Sequence, residues 1–476
     1  MRMKSFIRAA AFCALCLAFA GCGALTGQIP APSPLPEAAH TALTQAPASA
    51  LPSPTAAVSA EPTSVLTDEP TAEPTALAVH TDTPKPTDPP RPTGTPKPTG
   101  TPKPTNTPKP TRTPKPAGTP KPTNTPGPAQ QTPAPLVTGE PGDITLMFVG
   151  DLMCLSGQQY AAMSQAGGGG FDFTPSFKYV KGLLKKADCA FGNLETALSH
   201  SAPYSYQEKY VNGMPNCNGP KQYLDALGNA GFDALALANN HCCDAGKQGI
   251  IETVDAVEES GLYHTGLFRT QSAKRYRVIN VNGIKVGFIS YAEFYNGQQG
   301  CVGSDTYMLN TYSKAAAQND IAAARAAGAE FIVVYEHWGR EHTQTPTDTQ
   351  RKHARELANA GADLICGSHS HTVQPSVWLT ADDGRRVLCF YSLGNFVSSM
   401  SQEAANDTVI AEVGVKRSAD GRVSISGEAY HPARVIRTLE GKAFVVMPTS
   451  NRDFASLRAQ LDACEQRVMR MLMKER

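Results

Sequence analysis

The sequence predicts a layered α/β domain carried on a long unstructured stalk. Three observations predict it. Short apolar runs alternate with amphipathic helical text from about residue 143 onward, the signature of strands packed between helices. Five of those runs stop at a carboxylate, an amide or an imidazole. The preceding residues, 23–142, are dominated by Pro, Thr and Ala, which have too little to bury to offset chain entropy.

Residues 1–22 read as an export signal. Arg2, Lys4 and Arg8 give a positive start, and residues 9–20, AAAFCALCLAFA, give a short apolar core. That run is shorter than the roughly 20 residues a membrane span needs. Phe19-Ala20-Gly21-Cys22 resembles a lipobox. Cys22 is then the lipidation site and the mature N-terminus, which places the protein on the outer face of a bacterial cytoplasmic membrane.

The stalk contains a six-residue repeat from 91 to 126, RPTGTP KPTGTP KPTNTP KPTRTP KPAGTP KPTNTP. Polyproline II has three residues per turn, so six residues make two turns. Arg91, Lys97, Lys103, Lys109, Lys115 and Lys121 then line one edge. The expectation is a stiff spacer whose basic edge suits an anionic wall polymer or lipid headgroup. Net charge over the chain is +1, which gives no electrostatic case for a nucleic-acid partner. Of twelve cysteines, Cys13, Cys16 and Cys22 fall in the leader. The nine others are scattered without a CxxC, so they form neither a disulfide framework nor a zinc ribbon and read as small buried hydrophobes.

The strands are DITLMFVGD, DCAFGNLE, FDALALANNH, AEFIVVYEHWG and GADLICGSHSH. The helical texts between them are SFKYVKGLLKKA, PKQYLDALGNAG, GKQGIIETVDAVEESG, YSKAAAQNDIAAARAAG and TQRKHARELANAG. Asn282-Gly283 between alternating runs marks a β-hairpin. VIAEVGVKRSADGRVSISGEAYHPARVI reads as two or three further strands. The expected boundaries are one domain over 143–449 and a final amphipathic helix over 450–476, with Leu457, Leu461, Cys464, Val468 and Leu472 at helical spacing.

The strand ends carry the chemistry. They supply Asp151, Asn193 with Glu195, Asn240 with His241, His337, and His369 with His371. In open α/β sheets ligands bind at the carboxyl edge of the strands. His369 and His371, at i and i+2, would point the same way on extended backbone. Carboxylate, imidazole and amide oxygen together suit one or two divalent ions, Mn, Zn or Fe, and are too rich in nitrogen for Ca or Mg. In HWGREH, Glu341 is expected to orient His337, and Arg340 reads first as a solvated arginine and second as a contact for an anionic substrate. The segment 200–220 reads as an irregular loop suited to a substrate lid.

In order, GDLM, GNLET, ALANNHCCDAGKQGI, HWGRE, LANAGADLICGSHSHTVQP and YSLGNF resemble the CapA family of capsule, or poly-γ-glutamate, synthesis proteins. Its domain is similar to the calcineurin-like metallophosphoesterases. The resemblance spans about 144 to 400. It implies a four-layer αββα sandwich with a metal centre at the strand ends. Asp151 and His371 would hold a first metal, Asn240, His337 and His369 a second, and Glu195 would bridge them, with His241 as general acid. The phosphoesterases usually carry Asp-x-His in the first motif. Met153 stands at that histidine here, which weakens the first site and leaves Asn193 as a stand-in. The family often has an Arg-containing run in the 200–220 loop, where this chain has Tyr210-Val211-Asn212-Gly213-Met214-Pro215. The implied function is a surface-anchored, metal-dependent hydrolase of a phosphoester or amide in an anionic polymer or its precursor, working beside a membrane-bound polymer synthase. The alternative is a non-catalytic module that binds such a polymer.

Overall fold

The computed structural model describes residues 142–439 and 442–476. The leader, Cys22 and the hexapeptide stalk lie outside the described residues. The chain begins with β1 (Ile144–Leu152), α1 (Ser156–Gln165), the single turns α2 (Thr174–Phe177) and α3 (Lys181–Leu184), and β2 (Cys189–Asn193). A small hairpin, β3 (Tyr210–Val211) and β4 (Met214–Pro215), leads to α4 (Gln222–Ala230), β5 (Ala234–Ala236), α5 (Gly246–Glu259) and β6 (Tyr263–Thr265). Next come β7 (Arg277–Val281), β8 (Ile284–Ala292), α6 (Lys314–Ala326), β9 (Phe331–His337), α7 (Asp348–Ala360), β10 (Leu364–Ser368), β11 (Ser376–Thr380) and β12 (Arg386–Phe390). The chain closes with β13 (Asn395–Val397), β14 (Asp407–Arg417), β15 (Val423–Leu439), β16 (Lys442–Pro448) and α8 (Arg458–Leu472).

Apart from the β3–β4 hairpin, these strands build two sheets. One runs β16-β15-β14-β1-β2-β5-β6, with β13 also paired to β1; the other runs β11-β12-β10-β9-β8-β7. The centre of each is parallel: β1, β2, β5 and β6 in the first, and β8, β9, β10 and β12 in the second. Alternation along a strand then divides the side chains between two cores. In β1, Ile144, Leu146 and Phe148 enter the core between the sheets, while Met147 and Val149 face the helices. In β9, Phe331, Val333 and Tyr335 point inward and Ile332 and Val334 outward. Ala162 of α1, Leu227 of α4 and Val254 of α5 cover the first sheet; Ile321 of α6 and Leu357 of α7 cover the second. The result is the four-layer αββα sandwich.

The hairpin forms at Asn282-Gly283 with φ of 45° and 87°, the doubly left-handed turn that Asn-Gly favours. In α8, Leu461, Cys464, Val468 and Leu472 are buried, and the last three join the core between the sheets. SFKYVKGLLKKA does not form one helix. It winds through α2 and α3, because tighter bonds from Val180 N to Phe177 O and Leu183 N to Val180 O bring Phe177, Val180 and Leu184 all into the core. The sequence reading missed α1, whose text SGQQYAAMSQ has little apolar periodicity.

The ladder between β1 and β2 shifts register between Phe148 and Asp151. There the Tyr335 hydroxyl, from the opposite sheet, lies 3.1 Å from the carbonyl oxygens of both Val149 and Phe191. It ties the two sheets together just below the ends of β1 and β2. Gly150 allows the same strand end to press on β13: a Cβ there would sit 1.9 Å from the Gly394 carbonyl oxygen, while Asp151 N donates to that oxygen at 2.9 Å. Gly150→Ala should therefore destabilise the protein by about 1–3 kcal/mol, the usual range for overpacking. Thermal denaturation of purified protein checks this, and an unchanged midpoint would refute the close-approach argument.

Candidate metal centre

Asp151 and Asn193 are register partners at the ends of β1 and β2. The Asn193 amide nitrogen donates to Asp151 Oδ1 at 2.8 Å and lies 3.2 Å from His337 Nδ1. Asn193 therefore turns its nitrogen, not its oxygen, toward the cluster, and acts as a spacer between a carboxylate and an imidazole rather than as a stand-in ligand. His337 ends β9, beside Ser368 at the end of β10. Its Nδ1 is 2.9 Å from Ser368 Oγ. Its Nε2 faces Asn240 Oδ1 at 2.8 Å, His369 Nδ1 at 3.1 Å and Glu195 Oε1 at 3.5 Å. His371 Nδ1 lies 3.5 Å from Asp151 Oδ2, 3.9 Å from Glu195 Oε2 and 2.9 Å from Asn395 Oδ1. Asp151, Glu195, Asn240, His337, His369 and His371, drawn from both sheets, thus converge on one buried pocket.

Glu195 sits at its centre. One oxygen faces His337 and the other His371, and no hydrogen-bond donor reaches either. A buried carboxylate without donors is costly. Burial first, and then the charge of Asp151, push its pKa well above the ordinary value. Burial and the neighbouring imidazoles push His337 and His369 well below theirs. Burial also opposes charge on His371, but the hydrogen bond and charge of Asp151 outweigh it and raise its pKa. Burial thus disfavours net charge in the pocket, and the donorless Glu195 oxygens are what a divalent cation would satisfy. Two overlapping groups have metal-binding spacing, Asp151–Glu195–His337 and Glu195–His369–His371, with ligand atoms within 4.8 Å of one another. The residues present fit a cation. Met153, at the position of the first-motif histidine, is buried, and its carbonyl accepts from Gln158 at 2.6 Å.

The histidine pair converges for a reason other than the one expected. β10 ends at Ser368, and His369 and His371 adopt φ of 88° and 56°. Both are left-handed rather than extended, and side chains of L residues rarely occupy that region without a functional constraint. The His369 amide donates to Asp151 Oδ2 at 3.2 Å and helps hold the turn.

Residues 145–400 match the family model described as "Bacterial capsule synthesis protein PGA_cap". The chain belongs to this family. It is 26% identical over 318 residues to the "PGA biosynthesis protein CapA" of Bacillus subtilis (strain 168), covering 66% of this chain and 79% of that protein. It is 28% identical over 288 residues to the "Capsule biosynthesis protein CapA" of Bacillus anthracis, covering 59% and 66%. Among solved structures, the calcineurin-like phosphoesterase YfkN from Bacillus subtilis aligns over 69% of this chain and 98% of its own, at 13% identity and a TM-score of 0.37.

In this PGA_cap member several site residues escaped the sequence reading. Asp244 faces His241 Nδ1 with Oδ2 at 2.8 Å, and the same oxygen accepts from Cys217 N at 2.8 Å. The signal was the His-x-x-Asp spacing in NNHCCD, visible but unremarkable without the turn that brings its ends together. Asn395, from YSLGNF, is placed against His371 only by the pairing of β13 with β1. Ser368 and Asn193 hold His337 in the place expected of Glu341. Glu341 is instead about half exposed, 3.9 Å from His342. Arg340 is exposed and lines a recess of about 600 Å³ with Thr343–Asp348. The base of the 200–220 loop is pinned, since Asn218 Nδ2 lies within reach of the carbonyls of Ser199, Ala202 and Pro203 at 2.9–3.1 Å. The cysteines beside the motifs, Cys242, Cys243 and Cys366, are buried in the apolar cores.

A carboxyl group whose pKa is raised by folding binds its proton more tightly folded than unfolded, so stability falls as pH rises from the ordinary carboxylate value toward the raised one. Glu195 should impose that loss on the ion-free protein. His337 and His369, with lowered pKa, act in the opposite sense, so the comparison with Glu195→Gln isolates the carboxylate. In chelator at pH 8 the variant should be more stable than wild type by about 1–3 kcal/mol, with the gap closing toward pH 4.5. Added Mn²⁺ should reverse the order. Thermal midpoints across pH check it, and a variant less stable in chelator would refute the unpaired-carboxylate account.

Proposed function

We propose that the chain is a surface-anchored, metal-dependent hydrolase of capsule or poly-γ-glutamate biosynthesis, acting on a phosphoester or amide of an anionic surface polymer or its precursor. The observation that carries the reading is Glu195, donorless between two imidazole groups and beside the buried His241–Asp244 pair. Family membership and the names of the Bacillus relatives support the biological process. The lipobox at Cys22 and the basic stalk support anchoring and a membrane-bound synthase as partner. Among the described residues no helix is long and apolar enough to cross a membrane.

Asp151, Glu195 and His371 would hold one divalent ion, and Glu195, Asn240, His337 and His369 a second. Such ions supply Lewis acidity that makes water a nucleophile near neutral pH and stabilises charge on a substrate oxygen. Asp244 fixes the His241 ring through Nδ1 and leaves Nε2 to give a proton to the departing oxygen or nitrogen. Imidazole is the side chain suited to that exchange near neutral pH. Asn193 and Ser368 hold the His337 ring, and Asn395 holds His371, so the pocket needs little rearrangement to accept charge.

Purified protein should contain Mn, Zn or Fe by elemental analysis and should turn over a generic phosphodiester or an amide after loading. His241→Ala should retain metal and lose about 10²–10⁴-fold in kcat. Metal content with no turnover of any ester or amide would favour the polymer-binding module instead.

A further inference from the structure

One segment outside the ligand set touches three parts of the site. After β8 the chain runs Glu293-Phe294-Tyr295-Asn296-Gly297-Gln298. Phe294 meets the His369 ring edge-on, with centroids 4.7 Å apart. Gln298 Nε2 donates to Asp244 Oδ1 at 3.0 Å, steadying the carboxylate whose other oxygen faces His241. Asn296 Oδ1 accepts from Asn240 Nδ2 at 3.2 Å.

The last contact decides a polarity that shape cannot. The two ends of an amide are nearly the same size, but one end accepts while the other donates twice. Asn240 is fully buried, with Oδ1 toward His337 Nε2 at 2.8 Å and Nδ2 toward Asn296. Turned by half a rotation, the amide would aim N–H groups at the cluster, where a cation needs an oxygen. With its oxygen toward Asn240, Asn296 accepts from Nδ2 and so favours the orientation that aims Asn240 Oδ1 at His337, since with Asn296 so placed a turned Asn240 would set oxygen against oxygen. Asn296 itself lies at φ 52°, followed by Gly297 at 74°, a left-handed pair that brings the tip of the segment over Asn240.

Resting on the reading of the pocket as a divalent-ion centre, we propose that Asn296 is a positioning residue that locks the Asn240 amide with its oxygen inward and so sets affinity for the ion bound there. The test uses full-length protein and Mn²⁺ alone, with affinity measured by competition against a fluorescent chelator. Asn296→Ala and Asn296→Gly should each weaken the Asn240 side by about 10–100-fold, while the thermal midpoint in chelator moves little. Asn296→Asp keeps an acceptor and tolerates the left-handed backbone, and should stay within about threefold of wild type. Wild-type affinity in both truncations overturns the proposal, as does an Asp variant as weak as Ala. Loss in Ala but not in Gly also overturns it, because backbone strain would then be the cause. A wild-type protein that takes up no Mn²⁺ overturns the metal-centre reading itself, and this inference with it.

Discussion

The structure around the pocket depends on a carboxylate that folding deprives of donors. Glu195 is withdrawn from water, with two imidazole nitrogens at 3.5 and 3.9 Å and the charge of Asp151 acting on it. Such an arrangement is unfavourable on its own. It persists because the surrounding sandwich fixes every participant from a different strand, and the free energy of two cores outweighs one poor electrostatic contact. A positive ion would turn the same contact from a liability into a centre, since oxygens aimed at each other repel unless a cation lies between them.

The scaffold achieves this with strand ends and turns rather than with long loops. Tyr335 ties the sheets together below the pocket, and β13 pairs in parallel with β1 to bring Asn395 to His371. Left-handed backbone recurs around the pocket. His369, His371 and Asn296 all hold it, each where the chain turns a side chain toward the cluster. Sites that must be ready before the ligand arrives commonly carry such backbone.

Polar partners behind the cluster govern how its side chains face. Ser368 and Asn193 hold His337, Asn395 holds His371, Asp244 holds His241, and the β8 loop reaches Asn240, Asp244 and His369. These residues lie up to 144 positions from their partners in the chain. Apart from Asp244, three residues after His241, none has a spacing that marks it in the sequence. Glu341, adjacent to the His337 motif in sequence, was the natural candidate for that role, yet the turn at Gly339 carries it out to solvent.

The sequence by itself determined the class of fold and the identity of the groups at the strand ends, because apolar period and the abrupt stop at Asp, Asn, Glu or His are local features that survive without coordinates. It also marked the Asn282-Gly283 hairpin and the buried face of α8, both set by short-range sterics and spacing. Only the tertiary structure decided that His369 and His371 converge through left-handed turns, that SFKYVKGLLKKA breaks into two turns, and that Asn193 offers nitrogen rather than oxygen. Those outcomes follow from contacts between distant strands, whose hydrogen-bond partners and core positions select among conformations that the local residues leave nearly equal in free energy.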